Sequence, residues 1–390
     1  RMNTSAKRTQ DYYDHVDKVE AKDKHTVVFT FNKFIADWDY RFGNGFFSGI
    51  MPKEVADAGA GNWKNVNGTG PFMLTNVAQG NSLTFSKNPV YWDKDVIGGK
   101  EYKLPFVDRV VHRVIKDETT QHAALRTGKL DILSSISAEA ARELKKSSPD
   151  LKWNRWLTPT ANRVALRVDT KPFDDVRVRQ ALAHAIDRKA LVEGTYSGFG
   201  TTIGSHYSPV EPGYVDLNET YPYDPGKAQQ LLQEAGVQNL EITIMLPPPA
   251  YARRGGEIIA AMLSEVGIKV NLVPIEFAQW LDQVFKNSNF DATIIAHAEA
   301  RDLDIYARDK YYFNYQNPEY KALYKSYTLA STEAEQMDLI GQLQRKLAAD
   351  EPNVFLYALP KIGVWNKKVK GLWKNMPVPA DDQTQTYWEK

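Results

Sequence analysis

From residue 107 onward the chain alternates between two apolar periods, and this alternation constrains the fold most. Residues 107–115 (VDRVVHRVI) form a β-rich run. Asp117 opens a helical stretch through Thr119, Thr120, His122, Ala123, Ala124 and Leu125 that Gly128 stops. Leu130-Asp131-Ile132-Leu133 returns to strand. The rhythm repeats further on. Leu240–Met245 has strand character, 253–266 places Ile258, Ile259, Met262, Leu263 and Val266 on one helical side, and Gly267 ends it. Val270–Val273, a helix near 277–286 and Asp291–Ile295 follow. Strands alternating with helices specify an α/β architecture.

The remaining segments fit that class. Val27–Phe31 is a strand, residues 34–50 an aromatic, glycine-bearing loop, and Met73–Val77 with Leu83–Ser86 a hairpin. Residues 164–168 are a strand, and Asp174 or Asp175 caps a helix over Val176 to Ile186. Helices are expected at 226–236, 318–329 and 332–349, and a late strand at Val354–Tyr357.

Composition removes whole classes of function. The 390 residues allow two to four domains. Lys and Arg (49) balance Asp and Glu (48), so there is no basic excess to coat a nucleic acid. There is no cysteine, which excludes disulfides, thiolate metal sites and cysteine nucleophiles. No apolar run is long enough to span a membrane as a helix. The seven histidines (His15, His25, His112, His122, His184, His206, His297) lack zinc spacing, so no metal or cofactor is expected. Gly198–Gly204 has G-x-G-x-x-x-G spacing after a helix and is an ordinary turn rather than a dinucleotide loop. P-loop and G-x-S-x-G motifs are absent, and no catalytic residue is assigned.

Several segments together resemble family 5 of the extracellular solute-binding proteins of ABC importers, the dipeptide and oligopeptide type. Residues 172–188, PFDDVRVRQALAHAIDR, follow the family signature nearly position by position. Gly68–Phe72, Asn88-Pro89 with Tyr91-Trp92, Ala124–Asp131 and Met51–Glu54 match further family elements. The resemblance implies a two-lobed periplasmic-binding-protein-like fold of the cluster C type, with a hinge of two crossing segments near Pro159 and Leu359-Pro360. Lobe I is expected at 1–158 plus 359–390 and lobe II at 159–358. It also implies that Arg1 lies inside lobe I. On the order of a hundred residues would precede it, leaving lobe I incomplete at its N-terminus. Arg177, Arg179 and Asp187 of the signature are expected in structural ion pairs.

The resemblance also indicates where ligand would bind. Glu299 falls where the family places the carboxylate that meets a peptide's α-ammonium, followed by Arg301, Asp302 and Asp304. Ala296 replaces the family's tryptophan. Arg254, beside Arg253, matches the arginine that meets the ligand's carboxylate, a fork suited to bidentate pairing. His297, Tyr306, Tyr311 and Tyr312 flank this loop, and Asn162 lies next to the first crossing. Trp38, Tyr40, Phe42, Asn44 and Phe46 offer aromatic and amide contacts from the other lobe. The expected function is capture of a small polar solute at the periplasmic or extracellular face of the membrane and its delivery to an ABC permease. The resemblance implies a monomer when complete, with a missing N-terminal fragment of the same protein as a further partner of this chain. A di- or oligopeptide is the default ligand; a sugar, an opine or a metal chelate stays open. The alternative class is a hydrolase using Glu299 with His297.

Overall fold

A computed structural model describes residues 13–43, 49–58, 67–298, 301–372 and 382–389. The chain divides into two compact units. Unit 1 comprises Arg1–Ser134, Glu143–Trp153 and Gly363–Lys390, and unit 2 comprises Ser135–Arg142 and Asn154–Ile362.

Unit 1 is built from small antiparallel sheets. β1 (Val16–Ala21) pairs with β2 (Val27–Phe31). β3 (Phe72–Ala78) and β4 (Ser82–Lys87) form a hairpin. β5 (Lys94–Ile97) and β6 (Lys100–Lys103) are joined by Gly98-Gly99, both at positive φ. A two-residue hairpin turn of this kind needs left-handed backbone, which glycine adopts without Cβ strain. β7 (Arg109–Arg113) extends the β3–β4 sheet. Asp117 accepts from the Thr120 N–H at 2.7 Å and caps helix Glu118–Arg126, as its sequence predicts. β8 (Ile132–Leu133) is short.

The aromatic stretch 34–50 departs from the loop expected of it, because it contains helix Trp38–Gly43. One turn of spacing explains this. Asp37 and Arg41 form a buried i,i+4 ion pair at 3.0 Å, and the Trp38 and Phe42 rings, also four apart, lie 6.4 Å from each other.

Unit 2 holds the main sheet. β9 (Leu151–Leu166), β10 (Thr201–Thr202), β11 (Glu241–Leu246), β12 (Lys269–Pro274), β13 (Ala292–His297) and β14 (Asn353–Asn366) run in the order β10-β14-β9-β13-β11-β12. β11 is parallel to β12 and β13, while β13 is antiparallel to β9. β9 and β14 are far longer than their sequence predicts, and each contributes residues to both units.

The pleat sorts the side chains of this sheet into two cores. Val164, Leu166, Ile242, Ile244 and Ile294 face helices Val176–Ala185, Arg188–Tyr196, Pro225–Glu234 and Ala250–Glu265. Ala161, Ala165 and Ile295 face a second core of aromatic residues, including Tyr306, Tyr312, Phe313 and Tyr320, and helix Glu333–Asp350.

The signature segment is scaffold. Arg177 pairs with Asp175 at 2.6 Å as expected, but among the described residues Arg179 and Asp187 do not form the predicted ion pairs. Arg179 is buried and donates to the carbonyls of Phe173 (2.7 Å) and Glu351 (3.0 Å), while Asp187 caps the next helix through the N–H groups of Lys189 and Ala190. An arginine's five donors match several carbonyls at a chain junction better than one carboxylate does.

Gly204 shows how tightly the turn beside β10 is packed. A Cβ there would sit 2.0 Å from the carbonyl oxygen of Leu217, a backbone atom that cannot swing aside. Gly204→Ala is expected to destabilise unit 2 by about 3 kcal/mol, at the upper end of overpacking costs. Urea unfolding followed by tryptophan fluorescence checks this; a loss under about 0.5 kcal/mol, the ordinary scatter of surface substitutions, would show that the loop relaxes.

Candidate ligand-binding site

Three candidate residues lie outside the described residues: Asn44, Phe46 and Glu299. The others fall in both units, and each unit arranges its own set.

In unit 1, Trp38 and Phe42 belong to one aromatic cluster. The Phe42 ring lies 4.8 Å from Phe29 and 5.5 Å from Tyr13, and the Trp38 ring lies 6.1 Å from Phe31. Trp38 keeps 44% of its surface exposed and Tyr40 is half-buried, so this cluster offers stacking surface as well as packing.

In unit 2, the end of β13 and the segment after it meet β9 in a buried polar network. Register explains the meeting. Arg163 lies opposite Ile295 and Ala161 opposite His297, so Arg163 and His297 project from the same sheet face. His206, from the segment after β10, enters between them. Its Nδ1 lies 2.9 Å from Arg163 Nη1 and 3.0 Å from the Tyr306 hydroxyl, and its Nε2 bonds Asp302 Oδ1. His297 Nδ1 reaches the other Asp302 oxygen at 3.1 Å, and its Nε2 meets the Tyr312 hydroxyl at 3.0 Å. Tyr306 accepts from Arg163 (2.8 Å) and from the Asn353 amide (2.8 Å).

The chemistry of these groups fixes the proton positions. A guanidinium only donates, so His206 Nδ1 presents its lone pair and Nε2 carries the proton given to Asp302. Arg163 is fully buried, and its charge meets that of Asp302 across the imidazole rather than directly. Burial lowers the His206 pKa to about 4; Asp302 opposes this and Arg163 adds to it. Burial disfavours the Asp302 carboxylate, yet His206 and His297 hold it well below the usual range.

A second carboxyl guards the same segment. Glu211 is buried and accepts the N–H of Ser208 at 2.8 Å and that of Arg301. Burial raises it to about 8, with Asp302 adding to the rise and the two N–H groups and Arg163 opposing it. Arg301 adopts φ +57, a left-handed conformation uncommon for a side chain of its size. Beyond it, Tyr320 donates to the Leu303 carbonyl at 2.9 Å and Asp304 pairs with Arg308 at 2.6 Å.

This arrangement gathers His297, Asp302 and Tyr306 from the candidate list but turns them inward. Both Asp302 oxygens are occupied by histidines and Tyr306 has no exposed surface. Asn162, on the opposite sheet face, is 1% exposed and lies against the Tyr357 hydroxyl. Arg254 is more than half exposed and pairs with Glu139 at 3.5 Å, whereas Arg253 is spent on the carbonyls of Pro247 and Ile275. Arg163, His206 and Glu211 are absent from the sequence-based candidates. The one local signal was Arg163 itself, a charge in the apolar run Ala161–Leu166.

No group of three or more His, Asp or Glu side chains that could hold a metal ion occurs among the described residues, and no described helix is long and apolar enough to cross a membrane.

Comparison with known proteins gives these residues a context. The sequence pattern of the family described as "Bacterial extracellular solute-binding proteins, family 5 Middle" matches residues 1–320. Heme-binding protein A of Haemophilus influenzae is 33% identical over 275 residues, 67% of this chain and 48% of that protein. The dipeptide-binding protein of Escherichia coli is 28% identical over 284 residues, 68% of this chain and 50% of that protein. The chain thus spans about half the length of the curated relatives it matches. The structure of the oligopeptide-binding protein AppA of Bacillus subtilis in complex with a nonapeptide covers all of this chain with a TM-score of 0.82. The identity is 22% and 81% of that chain is matched. The two-lobed α/β fold expected from the signature is therefore the fold of this protein.

Proposed function

The chain belongs to family 5 of the bacterial extracellular solute-binding proteins, and from that membership we propose that it captures a small peptide and passes it to an ABC permease in the membrane. The family consists of binding proteins, and the reading adds no chemistry to binding. The observation that carries it is the buried clamp on the segment after β13. The clamp fixes Arg301 and Asp302, just beyond Glu299 in the sequence, through His297 of β13 and through His206 and Glu211 of the segment after β10. A binding protein needs its charged ligand contacts pre-organised, because ordering them on binding subtracts from affinity. In this reading Glu299 meets the ligand's ammonium and Arg254 its carboxylate. Arg254 exchanges its exposed pairing with Glu139 for the ligand. Arg301, Asn162, Trp38, Tyr40, Phe42, Asn44 and Phe46 supply further contacts, and Asp302, His297 and Tyr306 act from behind. The protein would work at the periplasmic or extracellular face.

Isothermal titration with dipeptides, a longer peptide, haem, an opine, a sugar and a nickel chelate tests the ligand class. Haem is included because the relative at 33% identity is named for it. Peptides should bind in the micromolar range or tighter. Glu299→Gln and Arg254→Ala should each weaken that binding at least about tenfold, the loss expected for a charged hydrogen bond. Haem binding without peptide binding would replace the peptide reading. Unchanged peptide affinity in both variants would remove these two residues from the site.

A further inference from the structure

We propose that His206 is the positioning residue of the ligand-side segment Arg301–Tyr306: its Nε2–H holds the Asp302 carboxylate, and Arg163 fixes the tautomer that lets it do so. This rests on the reading of that segment as part of the ligand site. It adds two residues that touch no ligand.

The geometry separates this role from ordinary core packing. Asp302 opens the short helical turn Leu303–Tyr306, and both its oxygens are held from outside that turn. His206 is carried by a segment that is itself tied down. Ser205 Oγ donates to the Gln344 carbonyl at 3.1 Å and Ser208 Oγ to the Thr158 carbonyl at 2.7 Å. The imidazole therefore stands on a fixed base with one nitrogen toward β9 and the other toward the ligand-side turn. The charged and titratable groups facing it are Arg163, Asp302, His297 and Tyr306, with the Tyr207 ring alongside. Arg163 can only donate, so it forbids a proton on Nδ1 and directs the single ring proton to Nε2. Moving the ring proton to Nδ1, or adding a second proton there, would set two donors against each other. The segment is thus aimed by an arginine that lies on the sheet and never reaches the ligand.

Two side chains that each imitate one ring nitrogen distinguish this role from a structural one. Gln places its amide near the position of Nε2 and can still donate to Asp302, whereas Asn places its amide near Nδ1 and cannot. Amide hydrogen exchange is followed in the full chain without ligand. His206→Asn should speed exchange over Arg301–Tyr306 about tenfold or more, the loss of roughly one charged hydrogen bond. His206→Gln should stay within about threefold of the parent, and β11 and β12 should be unchanged in both. Equal effects of the two variants, or an equal acceleration in β11 and β12, would overturn the proposal. As a second measurement, nitrogen-15 NMR of the ring should find the Nε2–H tautomer. In Arg163→Met the His206 pKa should rise from about 4, because the cation that adds to the effect of burial is gone while Asp302 still favours the protonated ring. An Nδ1–H tautomer, or no rise in the variant, would also overturn it. None of these measurements uses a ligand, so a chain that binds no peptide would fail the functional reading while leaving this positioning role intact.

Discussion

Glu211→Gln should stabilise unit 2 by an amount that grows as pH rises. The buried carboxyl titrates near 8 in the folded protein against an ordinary 4.5, so between those values the folded state holds a proton that the unfolded state has lost. Stability in the parent protein then falls with rising pH at up to about 1.4 kcal/mol per unit from this one group. Glutamine carries no such proton, and its side-chain oxygen still accepts the N–H of Ser208. The difference in unfolding free energy between variant and parent should rise from pH 4.5 and level off above 8, with a ceiling of roughly 5 kcal/mol. His206 acts in the opposite direction. Its folded pKa lies below 6.5, so its contribution is complete above that value and is lost as pH falls toward about 4. That term is common to both proteins and cancels in the difference. Urea unfolding at pH 5, 7 and 9 measures it, and a pH-independent difference would mean that Glu211 is ionised in the folded state throughout.

The second large effect comes from Asp302→Ala. Arg163 is fully buried, and of its donors Nε has no partner among the described residues while Nη1 serves His206 and Tyr306. Asp302 is the negative charge that answers it across the imidazole. Removing one member of a buried charge pair leaves the other uncompensated in a low-dielectric core, which costs about 3–5 kcal/mol. For a unit of this size that corresponds to a fall of about 10 °C in the thermal midpoint. The loss should be confined to unit 2. Calorimetry of the full chain checks this, and an unchanged upper transition would mean that Arg163 is neutralised elsewhere.

Much of the scaffold is legible along the chain because its signals are local. Asp117 and Asp175 cap the helices they precede, and 27–31, 240–245 and 270–273 carry strand patterns with no competing signal. The long strands β9 and β14 are not legible. Pro159 and Pro360 interrupt their patterns, and each strand changes its surroundings as it passes from one unit to the other. Helix Trp38–Gly43 is hidden for a related reason, since three nearby glycines outweigh one turn of i,i+4 pairing. The site is half legible. The family resemblance pointed to the segment after β13, with Asp302 and His297, as the proposed ligand side. It could not show that they face inward, because the groups that hold them are distant in sequence. His206 is 96 residues from Asp302 and 43 from Arg163. A histidine in a loop and an arginine in a strand have no period or spacing that links them, and only the sheet register and the turn after β10 bring them together.

The central claim is that this chain holds a small solute at the segment beyond β13. Native mass spectrometry of the purified protein tests it without presuming the ligand. The account predicts a population carrying a retained small molecule that fragments as a peptide. Glu299→Gln should reduce that population, and added dipeptide should displace the molecule. A chain that carries nothing as purified, and takes up nothing from peptide, haem, opine, sugar or chelate at millimolar concentration, would contradict it.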